Sequence, residues 1–246
     1  MTHEIAHNDI DKDDKPYPFL IIMILPIILT VFLILVLFII TQDLRWIEAW
    51  LYIFSLAINL AIGTYFINKK NPRVLRNRSN LKKVGITKKT KSSAGSDKYI
   101  LPILFIGIFG VYILSPFDHL YQWFQILPFS VEIIGLVISN IGIVIYNLAQ
   151  IQNKFASKLL DINKGQKLVD TGLYGHIRHP LYTGVTLWVF GTPIALGSLI
   201  SLIPAAVAFI AILLRIKFEE KMLIKGMNGY EDYRTRVKYK IIPKIY

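Results

Sequence analysis

The chain has 246 residues, 54% of them hydrophobic, a positive mean hydropathy and a formal net charge of +12. It contains no cysteine, which excludes a disulfide framework and a thiolate zinc site. Such a charge on a soluble chain would point to nucleic acid, but long apolar runs exclude that class and predict a multi-pass membrane protein.

Residues 1–17 are acidic and poor in apolar side chains, which predicts a mobile tail. The run FLIIMILPIILTVFLILVLFII (19–40) follows, without a charge. About 20 such residues cross a bilayer core of roughly 30 Å. Its length, acidic flank and lack of a small-residue cleavage site argue against a cleaved signal peptide. Further spans are predicted at about 46–67, 99–117, 130–151, 181–197 and 199–217. Gly197-Ser198 would turn the last two as a tight helical hairpin, kinked by Pro193 and Pro204. In 130–151, Gly135, Ser139 and Gly142 share one face and suit close helix packing. The expected fold is therefore all-α: a polytopic bundle of about six transmembrane helices.

Charge is unevenly spread. Segment 68–98 carries eleven Lys/Arg against one Asp, 152–180 five against two acids, and 215–246 nine against four. The connections 41–48 and 117–132 are net acidic. Lys and Arg concentrate in cytoplasmic loops, so six crossings place all three basic segments and both termini in the cytoplasm. The loop KKNPRVLRNRSNLKKVGITKKTKSS (69–93) either contacts anionic lipid headgroups or is a solvated topology signal. The expected organisation is a tail (1–17), transmembrane helices 1–2 (18–67), a basic loop (68–98), helices 3–4 (99–151) and a core at 152–246 containing the hairpin 181–217. No GxGxxG opens a helix after a strand, so a Rossmann cofactor domain is not expected.

Ionisable groups are expensive near hydrocarbon and cheaper at the boundary. The stretch QKLVDTGLYGHIRHPLYTG precedes the hairpin, and RIKFEEKMLIKGMNGYEDYRTRVKYKIIP follows it. Tyr174, Arg178, His179 and Tyr182 can therefore meet Arg215, Glu219 and Glu220 in one boundary cluster. Each residue also has a plainer role. Arg215 and Glu219 are spaced to pair along a helix, His179-Pro180 can start one, and the tyrosines suit an interfacial belt. Adjacent acids at 219 and 220 gain nothing from one another, which favours a cationic ligand.

Gly172, Tyr174, Arg178-His179-Pro180, Tyr182 and Gly184 match the pattern G-x-Y-x-x-x-R-H-P-x-Y-x-G. Glu219-Glu220 match a downstream acidic pair. Gly226 or Gly229, Tyr230, Tyr233, Val237 and Pro243 match a closing run. On these residues the chain resembles the isoprenylcysteine carboxyl methyltransferase family and the related phospholipid methyltransferases, over roughly residues 150–246. The resemblance implies S-adenosylmethionine in a cytoplasm-facing pocket, closed by the C-terminal segment, and a lipophilic acceptor entering from the bilayer. It implies cofactor contacts at Gln166, Lys167, Leu168, Val169, Tyr174, His179, Pro180, Leu181, Tyr182 and Glu219. Arg215 would face the acceptor's carboxylate as the catalytic and substrate-binding residue. Gln166 departs from the family's more usual His. The family occupies the plasma membrane in prokaryotes and the endoplasmic reticulum in eukaryotes. A phospholipid amine or small thiol is an alternative acceptor. Sterol-type reductases with NADPH share an R-H-P element but typically continue HP-N-Y-x-G-E, where this chain has Leu181 and Val185. A non-catalytic lipid-binding protein is the remaining alternative.

Overall fold

The structure, a computed structural model, describes residues 15–79, 94–124, 127–153 and 167–245. Gln166, the tail up to residue 14 and most of the basic loop (80–93) lie outside the described residues. The described elements are helices, with no strand among them: α1 Phe19–Thr41, α2 Ile47–Lys70, α3 Pro72–Ser79, α4 Ala94–Tyr121, α5 Phe129–Gln152, α6 Pro180–Ala195, α7 Leu202–Gly226 and α8 Tyr230–Arg236. A 3₁₀ turn, Gly172–Gly175, precedes α6.

The long helices run between two ends of opposite character. At one end, Tyr17 and Asn68 exchange two hydrogen bonds of 2.9 Å, and Asn71 donates to the Gln150 carbonyl. This end gathers the start of α1 and the ends of α2 and α5, beside the basic residues Lys69, Lys70, Arg73 and Arg76. At the other end, Asp43 pairs with His119 at 3.2 Å, and Trp46 stacks on the same imidazole. The backbone N–H of Arg45 bonds the Asp43 carboxylate, and with His119 beside it that carboxyl sits below its ordinary range. The alternation of basic and acidic connections in the sequence is therefore an alternation of ends in space.

Among the described residues four helices, α1, α2, α4 and α5, are long and apolar enough to cross a membrane. Leu20 and Ile39 on α1, Ile58 on α2, Ile106 on α4 and Ile134 on α5 all face outward. A belt of this size on a soluble protein would drive association; here it meets lipid tails. The last two helices differ from the expectation. α6 has 16 residues, roughly 24 Å at the helical rise. α7 has 25, but its second half carries Arg215, Lys217, Glu219, Glu220, Lys221 and Lys225. Their ends also move from the expected 181–197 and 199–217, because the connecting turn takes up residues 196–201 and α7 continues past the apolar stretch.

A short turn with Gly197 at φ 69° joins these two helices. However, α6 packs chiefly on α5 and α7 chiefly on α4, rather than on each other. The reason lies in small side chains. A Cβ on Gly184 would stand 2.6 Å from the Gly142 carbonyl oxygen, so the α5 and α6 backbones touch there. Ala205, Ala208 and Ala211 give α7 a similarly thin face toward α4. The predicted Gly135, Ser139 and Gly142 face is thus the seat of α6. Pro204 does not kink α7, since it occupies the first turn, where its missing N–H is not needed. Pro193 falls in the last turn of α6.

Polar side chains join helices that apolar contact alone would hold weakly in lipid. The Tyr52 hydroxyl meets Tyr112 at 2.7 Å and Thr192 at 2.9 Å, and accepts from Trp188 Nε1 at 3.0 Å. Each such bond is worth about 1 kcal/mol. Together they fix α6, and the site at its start, against α2 and α4.

Candidate active site

The candidate residues lie at the basic end, where α6 begins and α7 ends. His179 precedes α6, with Pro180 at its first position. Its carbonyl accepts the N–H groups of Tyr182 and Thr183 at 3.0 and 3.1 Å, so its backbone opens the helix. Its imidazole is not a cap. Nε2 is buried 3.5 Å from Glu220 Oε1, without a formed hydrogen bond.

Beyond α7, Gly229 takes φ 79° and starts α8. An extended strap then runs back past the start of α6. Arg178 N donates to Tyr239 O at 2.9 Å, His179 N to Lys240 O at 2.8 Å, and Thr183 Oγ1 to Ile241 O at 2.7 Å. The buried Arg178 side chain closes the clasp. Nε and Nη2 each lie 2.7 Å from Glu220 Oε1, and Nη1 donates to Val237 O and Lys238 O at 2.7 and 2.8 Å. Lys240 adds a contact to Glu220 Oε2 at 3.4 Å. Burial alone would push the Glu220 carboxyl up, but His179 and Arg178 outweigh it and hold it down to about 2.

The adjacent acids therefore have different roles. Successive helical residues point about 100° apart. Glu220 turns inward to the clasp, so its charge needs no ligand to explain it. This corrects the expectation that both acids await a cation. Glu219 turns toward α6 and accepts the Tyr182 hydroxyl at 2.6 Å. The Tyr182 ring lies 5.6 Å from the His179 ring and 6.0 Å from the Arg215 guanidinium. His179, Tyr182, Glu219 and Arg215 are thus one contiguous cluster.

Arg215 is buried and pairs across to α4. Its Nε lies 3.2 Å from Asp97 Oδ1, and Nη2 donates to Asp97 Oδ2 at 3.2 Å. Asp97 was missed from sequence, although it is the single acid among eleven basic residues in segment 68–98. Tyr230 belongs to the closing run of the sequence pattern, and the fold brings it to the site. Its buried hydroxyl has no hydrogen-bond partner among the described residues, and burial followed by the Glu220 charge pushes its titration well up, so it remains a donor at neutral pH.

The other expected positions fall around this cluster rather than in it. Tyr174 is buried at the α5–α8 junction, where its hydroxyl donates to Ala149 O at 3.4 Å and its carbonyl accepts the Tyr233 hydroxyl at 2.7 Å. Leu168 packs against Tyr230, Tyr233 and Val237. Lys167 is exposed and Val169 half-buried beside it. The Leu181 side chain turns toward Ile67 and Val74, and Pro180 is fully buried.

A phospholipid methyltransferase family profile matches residues 131–228. The protein-S-isoprenylcysteine O-methyltransferase of Schizosaccharomyces pombe is 38% identical over 77 residues, 30% of this chain and 33% of that protein. The chain thus matches about a third of that relative's length. Protein-S-isoprenylcysteine O-methyltransferase B of Arabidopsis thaliana is 32% identical over 167 residues, 58% of this chain and 84% of that protein. A solved structure of the eukaryotic intramembrane Ras methyltransferase ICMT superposes with a TM-score of 0.47 at 20% identity, covering 87% of this chain and 74% of that one.

Proposed function

The chain belongs to the isoprenylcysteine carboxyl methyltransferase family, and from that premise we propose that it moves a methyl group from S-adenosylmethionine to a lipophilic acceptor. The acceptor that fits best is a prenylcysteine-like carboxylate. One observation carries this reading: Tyr182 joins an anionic group, Glu219, to a cationic fork, Arg215, at the end of the apolar helices.

The residues present suit the cofactor. His179 Nε2 and the Tyr230 hydroxyl are buried polar atoms without hydrogen-bond partners among the described residues, as expected of groups that complete their bonding with a ligand. Glu219 would hold the cofactor's ammonium, and His179 and Tyr230 its carboxylate or ribose hydroxyls. Bound there, the cofactor supplies a sulfonium-activated methyl group. The residues would do the rest by positioning and by excluding water. A carboxylate acceptor is ionised at pH 7 and needs no general base. Arg215 would orient it with its planar fork of donors. The strap, held by Arg178, would close the site from the aqueous side.

In this reading α6 and α7 complete six crossings, and the basic end faces the cytoplasm by the distribution of Lys and Arg. The loop at 69–93 would rest on anionic headgroups. Family membership favours methyl transfer over the reductase and non-catalytic readings. A phospholipid amine or small thiol is the second acceptor reading. The hold of Asp97 on Arg215 favours it, since such acceptors do not need a free guanidinium.

Calorimetry with S-adenosylhomocysteine tests the cofactor site. Wild-type protein should bind it at micromolar concentrations. Glu219→Gln and His179→Ala should each lose roughly 10-fold or more, the value of a charge-assisted hydrogen bond. Folded wild-type protein that does not bind would refute the reading.

A further inference from the structure

We propose that Asp97 sets the acceptor selectivity of this site by occupying the Arg215 fork that an acceptor carboxylate would need; this rests on the reading that Arg215 faces the acceptor. Both residues are nine-tenths buried, Asp97 at 3% exposure and Arg215 at 8%. The pair joins α4 to α7 across 118 residues of chain. Two carboxylate oxygens face two guanidinium nitrogens, each at 3.2 Å. A prenylcysteine carboxylate would make the same kind of contact, so Asp97 already stands in that position.

The distances indicate that this hold is not a tight one. Charge-assisted N–H···O bonds are usually about 2.7–2.9 Å, and both contacts here are longer. A buried guanidinium without a counter-charge would be costly, so Asp97 stabilises Arg215 while no acceptor is present. The same charge then opposes an incoming carboxylate. Arg215 and Asp97 sum to zero, and Glu219 lies on the other side of Tyr182. A second carboxylate must displace Asp97 from the fork or bring an extra negative charge into a poorly solvated cluster. A neutral acceptor, including the methyl ester product, meets neither cost. Asp97 is thus a specificity-determining residue that acts through Arg215, and it narrows the preference for acid over ester.

The test is binding of N-acetyl-S-farnesylcysteine and of its methyl ester to purified full-length protein in nanodiscs, with S-adenosylhomocysteine present. Wild-type protein should favour the acid over the ester by no more than roughly 3-fold. Asp97→Asn should bind the acid roughly 10-fold tighter, the size of one charge-assisted hydrogen bond released to the ligand. Its ester affinity should change by less than about 2-fold. Asp97→Glu, which restores the charge, should stay near the wild-type ratio. A purely structural Asp97 would weaken both probes together in Asp97→Asn, and that result overturns the proposal. A strong acid preference already present in wild type overturns it too, whether or not the Asn variant folds. Binding of neither prenyl probe overturns it along with the acceptor reading. The cofactor reading is tested separately by S-adenosylhomocysteine binding alone.

Discussion

Replacing Arg178 by Ala should release the C-terminal strap while leaving the helix bundle in place. Arg178 is 7% exposed, and its side chain holds the Glu220 carboxylate together with the Val237 and Lys238 carbonyls. Its removal strands a buried carboxylate, and breaking a buried ion pair typically costs about 3–5 kcal/mol. Lys240 at 3.4 Å still partly answers Glu220, so the lower end applies. About 3 kcal/mol corresponds to roughly a 100-fold rise in local opening. Hydrogen exchange reads this directly at the Arg178 and His179 amides, which bond Tyr239 O and Lys240 O. Exchange there should accelerate by about that factor. The amides of α2, α4 and α5 should keep their protection, and S-adenosylhomocysteine affinity should fall with strap closure. Arg178→Lys should behave nearly as badly, because an ammonium cannot reach the carboxylate and two carbonyls in one plane. Unchanged exchange at both amides with unchanged ligand affinity would refute the clasp.

The pH dependence of the strap follows from Glu220. Its carboxyl is held at about 2, below its ordinary 4.5, so its stabilisation is complete above the ordinary value and is lost as pH falls from there toward about 2. Strap protection measured by hydrogen exchange should be flat from pH 7 to 5 and decline below that. Tyr230→Phe removes a hydroxyl that has no hydrogen-bond partner among the described residues. It should leave the melting temperature within a few degrees while weakening S-adenosylhomocysteine roughly 10-fold. Gly184→Val places a Cβ 2.6 Å from the Gly142 carbonyl oxygen. It should separate α5 from α6 and abolish a monodisperse folded peak on gel filtration in detergent, with Gly175→Ala, whose Cβ would ask the Asp170 carbonyl 3.3 Å away to yield by only a few tenths of an ångström, as the milder comparison.

Much of the architecture was legible because it repeats locally. The uncharged run at 19–40 became α1 over Phe19–Thr41, and 130–151 became α5 over Phe129–Gln152. Each reads from hydropathy alone because lipid demands a continuous apolar length. The small face of α5 was legible too, since glycines on one face of a membrane helix serve little but close approach. The meeting of His179 and Tyr182 with Glu219 and Glu220 followed from placing both polar stretches at one end. What escaped was pairing over distance. Nothing in the spacing around Arg215 indicates that its partner is Asp97 on α4. The period of α7 makes residues 219 and 220 look like one acidic feature, whereas Arg178 takes one and Tyr182 the other. Tyr174 carried the same motif weight as Tyr182, yet the fold uses it to join α5 to α8. The separation of α6 from α7 also escaped, because adjacency in the chain says nothing about which small face each will find.

The most direct test of the central claim is methyl transfer itself. Purified protein in nanodiscs is given S-adenosylmethionine labelled in its methyl group, together with N-acetyl-S-farnesylcysteine. Label should appear in a base-labile methyl ester on the prenylcysteine carboxylate, and Glu219→Gln should lose that product. Label in a base-stable product on added phospholipid or thiol, with the prenylcysteine carboxylate untouched, would contradict the assignment of the acceptor. No transfer to any of them by folded, S-adenosylhomocysteine-binding protein would contradict the account as a whole.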